Sequence, residues 1–181
     1  IAKGVRALAQ AGVSAADATN TLIKDVARLS IVGEMGVQDA AVSLTGAVQA
    51  FNLDWSQGSR VVDVYAKAAA MSNASVQSIT DSMKQASQVA KQYNQSVEDV
   101  GTALTALALV NITGSAAGTA YRNMMAEISA PKGEAKKLAA ELGISIFDAK
   151  TKNIQSFYDE YLPSLRSKLA EYDAQSQNYI L

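Results

Sequence analysis

The sequence contains no cysteine and no histidine, and it has only two prolines and 6% aromatic residues. Without cysteine and histidine, the chain has no disulfide, thiolate nucleophile or imidazole base, and most transition-metal sites lose their usual ligands. We therefore expect no catalytic residues, no metal site and no cofactor. With two prolines in 181 residues, little interrupts helix formation.

The chain also lacks an excess of charge of either sign. It carries 16 basic and 17 acidic residues, a net charge of −1. No basic stripe marks a nucleic-acid-binding face, so specific nucleic-acid binding by this segment is not expected. The longest apolar run, residues 103–112, is too short to span a bilayer. Because the chain starts at Ile1 and not at a methionine, we expect it to be a fragment of a longer protein.

Hydrophobic residues make up 49% of the chain, and alanine and aliphatic side chains dominate among them. Alanine is the strongest helix former, and small side chains let helices pack closely. The sequence therefore predicts an all-α fold. Ser96 with Asp99 has the spacing of a helix capping box. Residues 97–110 after it are almost wholly apolar, so we expect that helix at the centre of the fold.

Similar turn sequences recur along the chain at intervals of about 40 residues. They fall at residues 12–14, 52–54 and 94–96, and alternate with turns at 36–38, 75–77 and 115–117. One helical hairpin per interval could not bury its apolar face alone, so stacking is expected. We predict stacked antiparallel helical hairpins over residues 1–130 and a C-terminal helical extension over 131–181. A short β-like segment is predicted near 144–148.

The stretch from 111 to 148 opens with small residues, including Gly114 and Gly118. It lacks the Gly-Lys-Ser/Thr ending and the preceding strand of a phosphate-binding loop, so a close-packed helix junction is the favoured interpretation. Arg122 is the one charged residue amid apolar neighbours. It either hydrogen-bonds carbonyls of a neighbouring turn or anchors another subunit.

Two other features have a structural and a functional interpretation. Phe51 fits a core position, whereas Trp55 fits either the core or an exposed interface hot spot. Asp159 and Glu160 are adjacent, so on a helix they point in different directions, whereas Glu98 and Asp99 lie in a first helical turn, where carboxylates favour the helix dipole. Capping and solvation explain them better than acid–base catalysis.

Several of these residues match a known pattern, an Asn-x-x-Gly-Ser-x-Ala-Gly-Thr-x-x-Arg-Asn run followed by a Pro and a Leu-Gly-Ile-x-x-Phe-Asp segment. The run is supplied by Asn111, Gly114, Ser115, Ala117, Gly118, Thr119, Arg122 and Asn123, and the later part by Pro131, Leu142, Gly143, Ile144, Phe147 and Asp148. Upstream, Phe51, Asp63, Ser75 and Val76 also match. The chain thus resembles the conserved domain of the tail tape-measure proteins of long-tailed bacteriophages and prophages. It departs from the pattern after Asp148, where Ala149–Lys152 replace a turn that usually contains glycine.

The resemblance implies a structural, non-enzymatic role in templating tail-tube length and in genome ejection. It implies a place in the tail lumen of the virion, and in the host cytoplasm during assembly. The implied partners are tail tube and tail tip proteins, tail assembly chaperones and further copies of the chain, with host-envelope contact on ejection. The alternative is a helical-repeat protein-binding module without a ruler role. The residues expected at packing or interface sites are Trp55, Gly114, Gly118, Arg122 and Phe147.

Overall fold

The computed structural model describes residues 2–90, 92–130 and 132–141, together with single positions at 163 and 167. Every regular element in these ranges is helical, which confirms the predicted all-α class for this part of the chain. The β-like segment predicted at 144–148 and most of the predicted extension over 131–181 lie outside the described residues.

The helices follow one another with short connections. They are α1 (Ala2–Gln10), α2 (Ala15–Asp17), a π-helical segment (Ala18–Leu22), α3 (Ile23–Val32), α4 (Val37–Ala50), a 3-10 turn (Trp55–Gln57), α5 (Gly58–Ala70), α6 (Val76–Ala90), α7 (Val97–Leu109), α8 (Gly114–Ser129) and α9 (Gly133–Glu141). The helix α2, the π-helical segment and α3 run on without a break.

The helices pack in two rows. In one row α3 contacts α5 and α5 contacts α7, and in the other α1 contacts α4, α4 contacts α6 and α6 contacts α8. The sequential pairs α3–α4, α5–α6 and α7–α8 also pack together, so they join the rows. The largest fully buried side chains come from both rows, and they include Leu22, Leu44, Tyr65, Leu104 and Tyr121. Burial raises the pKa of the Tyr65 hydroxyl well above its usual range.

Three of the turns close with the same hydrogen bond, from an N–H to the carbonyl five residues earlier. The pairs are Val13 to Leu8, Leu53 to Val48 and Gln95 to Ala90, at 2.9 to 3.1 Å. The residue before each donor has a positive φ: 82° at Gly12, 53° at Asn52 and 49° at Asn94. This is the Schellman ending of a helix, which satisfies carbonyls that the helix leaves unpaired. The residue that follows each donor is the N-cap of the next helical element, namely Ser14, Asp54 or Ser96. At Ser96 the predicted capping box with Asp99 is present.

The helix α7 differs from its expected central position. Val97, Val100 and Leu104 are buried, but Thr102 and Ala106 are exposed, and 57% of Leu109 is exposed. Its contacts to α5, α6 and α8 cover one face only. The expectation that residues 97–110 form the centre of the fold was therefore wrong for their outer face.

Within the described ranges, no single helix combines the length and the apolarity needed to cross a membrane. The helices α7 and α8 meet the length and apolarity criteria only when they are counted as one span, and a bend of 118° separates them.

Replacing Asn94 tests the turn geometry. In Asn94→Ala the side chain must adopt a left-handed backbone that alanine avoids, so the free energy of unfolding should fall by about 1 kcal/mol. Asn94→Gly should stay near the parent value, because glycine accepts this φ. Urea titration followed by circular dichroism measures both. Asn123→Ala, on an exposed helical position of α8, is the matched control and should not destabilise. Equal losses at Asn94 and Asn123 would contradict the turn assignment.

Candidate interface surfaces

The helices α6 and α8 approach each other at Gly118. A Cβ added at Gly118 would lie 2.5 Å from Gln85 Cβ and closer still to the backbone carbonyl oxygen of Ser82. Real Cβ atoms do not tolerate such separations, so the two helices are in backbone contact here. This is the kind of close junction that small residues permit.

Gly114 supports the same junction from the start of α8. Its φ of +60° is a conformation that glycine adopts without strain. Its carbonyl oxygen lies 2.8 Å from Ser82 Oγ, which also lies 2.8 Å from the Ser78 carbonyl oxygen. One hydroxyl on α6 is thus shared between its own helix and the first turn of α8. The structure brings Gly114 and Gly118 together against Ser82, although the sequence did not identify the helix they contact.

Arg122 lies one turn further along α8 and is half-buried. Its Nη1 lies 3.5 Å from the side-chain oxygen of Gln85 on α6, a long hydrogen bond. The expected partners were carbonyls of a neighbouring turn, whereas the structure places the guanidinium beside a side-chain amide. Its role as an anchor for another subunit stays a prediction.

Trp55 lies in the 3-10 turn that precedes α5. The turn is fixed by Asp54, whose side chain accepts from the Ser56 N–H over 2.9 Å, within a capping box completed by Gln57. Trp55 and Phe51 are both half-buried and pack against the core. The side chain of Trp55 thus contacts the core, and its role at an interface stays a prediction. Phe147 lies outside the described residues.

Two ion pairs join neighbouring helices of one row, and the sequence analysis did not predict them. Arg28 Nη2 on α3 donates to Asp63 Oδ1 on α5 over 2.6 Å. Arg60 on α5 donates to both carboxylate oxygens of Glu98 on α7, over 2.6 and 2.7 Å. The available signal was the separation of 35 and 38 residues between opposite charges, which is close to the predicted repeat.

The pKa values of two carboxyl groups beside these arginines are shifted in opposite directions, because hydrogen bonding dominates at Glu98 and burial dominates at Asp25. Hydrogen bonds from Arg60 hold the pKa of Glu98 below its usual value, although partial burial opposes them. On α3, burial raises the pKa of Asp25, and Arg28 offsets part of that rise. Asp25 also accepts a hydrogen bond from the Ser59 backbone at the start of α5. The row of α3, α5 and α7 is therefore linked by polar contacts at its surface.

A groove of about 360 Å³ runs between α5 and α7. Its surface is mostly apolar and includes Val64, Ala68, Met71, Gly101, Ala106 and Leu109. Met71 is 59% exposed and Leu109 is 57% exposed. No sequence motif marks this groove, because it depends on the relative placement of two helices that are not consecutive in the sequence.

Across the described part of the chain, no group of three or more acidic side chains is arranged to hold a metal ion.

Gly118→Ala tests the close approach of α6 and α8. The added methyl group would meet the backbone of α6, so we expect a loss of about 1–3 kcal/mol in the free energy of unfolding. Gly46→Ala is the matched control, since nothing lies within 4 Å of a Cβ at this position in α4. It should stabilise the protein by about 0.5–1 kcal/mol through helix propensity. A stabilising Gly118→Ala substitution would contradict the backbone contact.

Glu98→Gln tests the ion pair between α5 and α7. Because the folded pKa of Glu98 is lowered, its stabilising contribution is present above the unfolded value of about 4.3 and is lost as pH falls through the folded pKa. Both partners are substantially exposed, so the coupling free energy at pH 7 should not exceed about 1 kcal/mol. A double-mutant cycle with Arg60→Gln, measured by urea unfolding at pH 7 and in acid, gives this value. Coupling that persists unchanged in acid would exclude the carboxylate as its source.

A comparison with protein-family models and a comparison with individual known proteins identify the same family. The model of the family described as "Phage-related minor tail protein" matches residues 1–181. The protein named "Tape measure protein" of Pneumococcus phage Dp-1 is 31% identical over 148 residues, which cover 82% of this chain and 13% of that protein. The "Probable tape measure protein" of Escherichia phage P2 is 29% identical over 122 residues, 67% of this chain and 15% of that protein.

The chain therefore spans about one seventh of the length of these two relatives. No solved structure matches it. The resemblance seen in the stretch from 111 to 148 is confirmed by a match that extends over the whole chain. The chain belongs to the phage minor tail and tape measure protein family, and it is a structural component of the phage tail and hence of the virion.

Proposed function

We propose that this chain is a compact helical domain of a tape measure protein, which templates tail-tube length during assembly and takes part in genome ejection. The names of the two relatives support the tape-measure role. Since the chain corresponds to about one seventh of their length, the measuring rod itself lies mainly in other parts of the parent protein. The present domain serves one end of the ruler, in initiation or in ejection.

The proposed architecture is a stack of antiparallel hairpins of about 40 residues over 1–130, followed by a helical extension over 131–181. The repeated Schellman turns at Gly12, Asn52 and Asn94 support it. Two further turns, at Glu34 and Asn111, also have a positive φ and the same five-residue hydrogen bond. The turn at 72–75 lacks this pattern, since Ser72 donates to the Ala69 carbonyl three residues earlier.

The observation that carries the compact-domain proposal is the contact between α6 and α8 at Gly118. Helices in backbone contact lie side by side, so the residues that form them span far less length than one continuous helix would. A segment folded in this way is a poor length standard. Its exposed surfaces instead suit packing against other tail components.

Membership of a tail family implies assembly partners. We assign these to tail tube and tail tip proteins, tail assembly chaperones and further copies of the chain, with the tail lumen as the site of action and the host cytoplasm as the site of assembly. Host-envelope contact belongs to ejection. The even charge distribution gives no support to specific nucleic-acid binding.

Deleting residues 53–94 in the parent phage tests the compact-domain role. The deletion removes one proposed hairpin and joins Asn52 to Gln95, so that Asn52 takes the place of Asn94, which has the equivalent turn geometry. As an extended helix these residues would account for roughly 60 Å of tail length. We expect absent or non-infective tails instead, seen by electron microscopy and plaque assay, because the deletion removes the helices between α4 and α7.

The variant Gly118→Ala in the same phage is the matched control, because it disturbs helix packing without changing chain length. It should reduce assembly or infectivity and leave the length of any completed tail unchanged. Tails shortened by about 60 Å in the deletion would place the segment in the measuring rod. Infective tails of normal length would remove any tape-measure role of this segment.

The alternative, a helical-repeat protein-binding module without a ruler role, is favoured by the exposed apolar groove between α5 and α7. The same deletion separates the two functions. A module without a ruler or ejection role would leave tail length and ejection intact, and would alter only the composition of the tail.

A further inference from the structure

We propose that the groove between α5 and α7 binds an amphipathic helix of another polypeptide, which presents an apolar stripe to the groove and an acidic side chain to Lys67. The proposal goes beyond the ruler role, because the chemistry of the groove is independent of how the tail measures its length. Helix binding in an apolar groove is an established mode of recognition.

The groove is open because its sides carry small residues. A Cβ at Gly101 would lie 2.5 Å from Val64 Cγ1, so α5 and α7 are in close contact at this point. Ala68, Thr102 and Ala106 contribute little volume, and the space left is about 360 Å³. A row of small side chains between two helices accepts the ridge of a third helix.

The rim of the groove is apolar and exposed. Met71 and Leu109 lie at the ends of α5 and α7, and both line the groove. Single exposed apolar side chains are ordinary, but two large ones that line the same concave apolar surface are typical of an interaction site.

The charge of the residues that line the groove favours a partner helix with an acidic side chain. Glu98 is already held by two hydrogen bonds from Arg60. Lys67 lines the groove, and no acidic side chain of the described residues pairs with it. The groove therefore presents one uncompensated positive charge. A symmetric contact between two copies would bring two Lys67 side chains into one interface, whereas a helix with an acidic residue would complement the charge.

The test uses the 181-residue chain and two designed 18-residue helical peptides, with leucines at i, i+4, i+7 and i+11. One peptide carries a glutamate beside the leucine stripe and the other a lysine at that position. Fluorescence anisotropy of labelled peptide gives the dissociation constants. The glutamate peptide should bind about two- to fivefold more tightly, as expected for an exposed ion pair, and Lys67→Glu should reverse this preference. Lys67 is exposed, so its replacement leaves the core intact.

Two matched variants locate the binding surface. Leu109→Glu should weaken binding of both peptides at least tenfold, whereas Val42→Glu should change neither. Val42 is 52% exposed but lies on α4, in the other row of helices.

Absence of binding, equal affinity of Lys67→Glu for both peptides, or an unaffected Leu109→Glu variant would overturn the proposal. So would a concentration-dependent dimer that Leu109→Glu abolishes, because the groove would then be covered by a second copy. None of these outcomes depends on tail length, so they are separate from the test of the ruler role.

Discussion

The backbone contact between α6 and α8 at Gly118 is the constraint on which the row of α4, α6 and α8 depends. Because Gly118 brings α8 directly against the Ser82 backbone, the Ser82 hydroxyl reaches the Gly114 carbonyl. The same approach lets Tyr121 and Met125 become fully buried, and Met83 on α6 is fully buried as well. A larger residue at Gly118 would separate the helices and weaken all of these contacts together.

In the described part of the chain, polar side-chain contacts join adjacent helices within each row. The Arg28–Asp63 pair links α3 to α5, the Arg60–Glu98 pair links α5 to α7, and Gln85 with Arg122 links α6 to α8. Each pair joins residues 35 to 38 positions apart. For the proposed stack of hairpins, stability would be approximately a sum of terms between neighbours. Such a stack would keep its fold locally and leave its outer surfaces available to the proposed partners.

The sequence predicted those features that depend on local chemistry. Ser96 and Asp99 form their capping box whatever surrounds them, and the glycines at 114 and 118 have few uses other than a close approach. The outer face of α7 was misjudged, because apolar composition does not reveal how many neighbours a helix has. The Arg60–Glu98 pair and the groove beside Leu109 depend on the relative register of two helices, which periodicity alone leaves open. The contact between Arg122 and Gln85 depends on helix register in the same way.

The central claim is that this segment is a folded stack of helices and not an extended rod. Small-angle X-ray scattering of the isolated 181-residue chain tests it most directly. A compact chain of this length has a radius of gyration of about 16 Å, and a short stack of hairpins should fall near 16–25 Å. A single-helix cross-section with a radius of gyration above roughly 60 Å would correspond to a continuous rod rising 1.5 Å per residue, and would contradict the account.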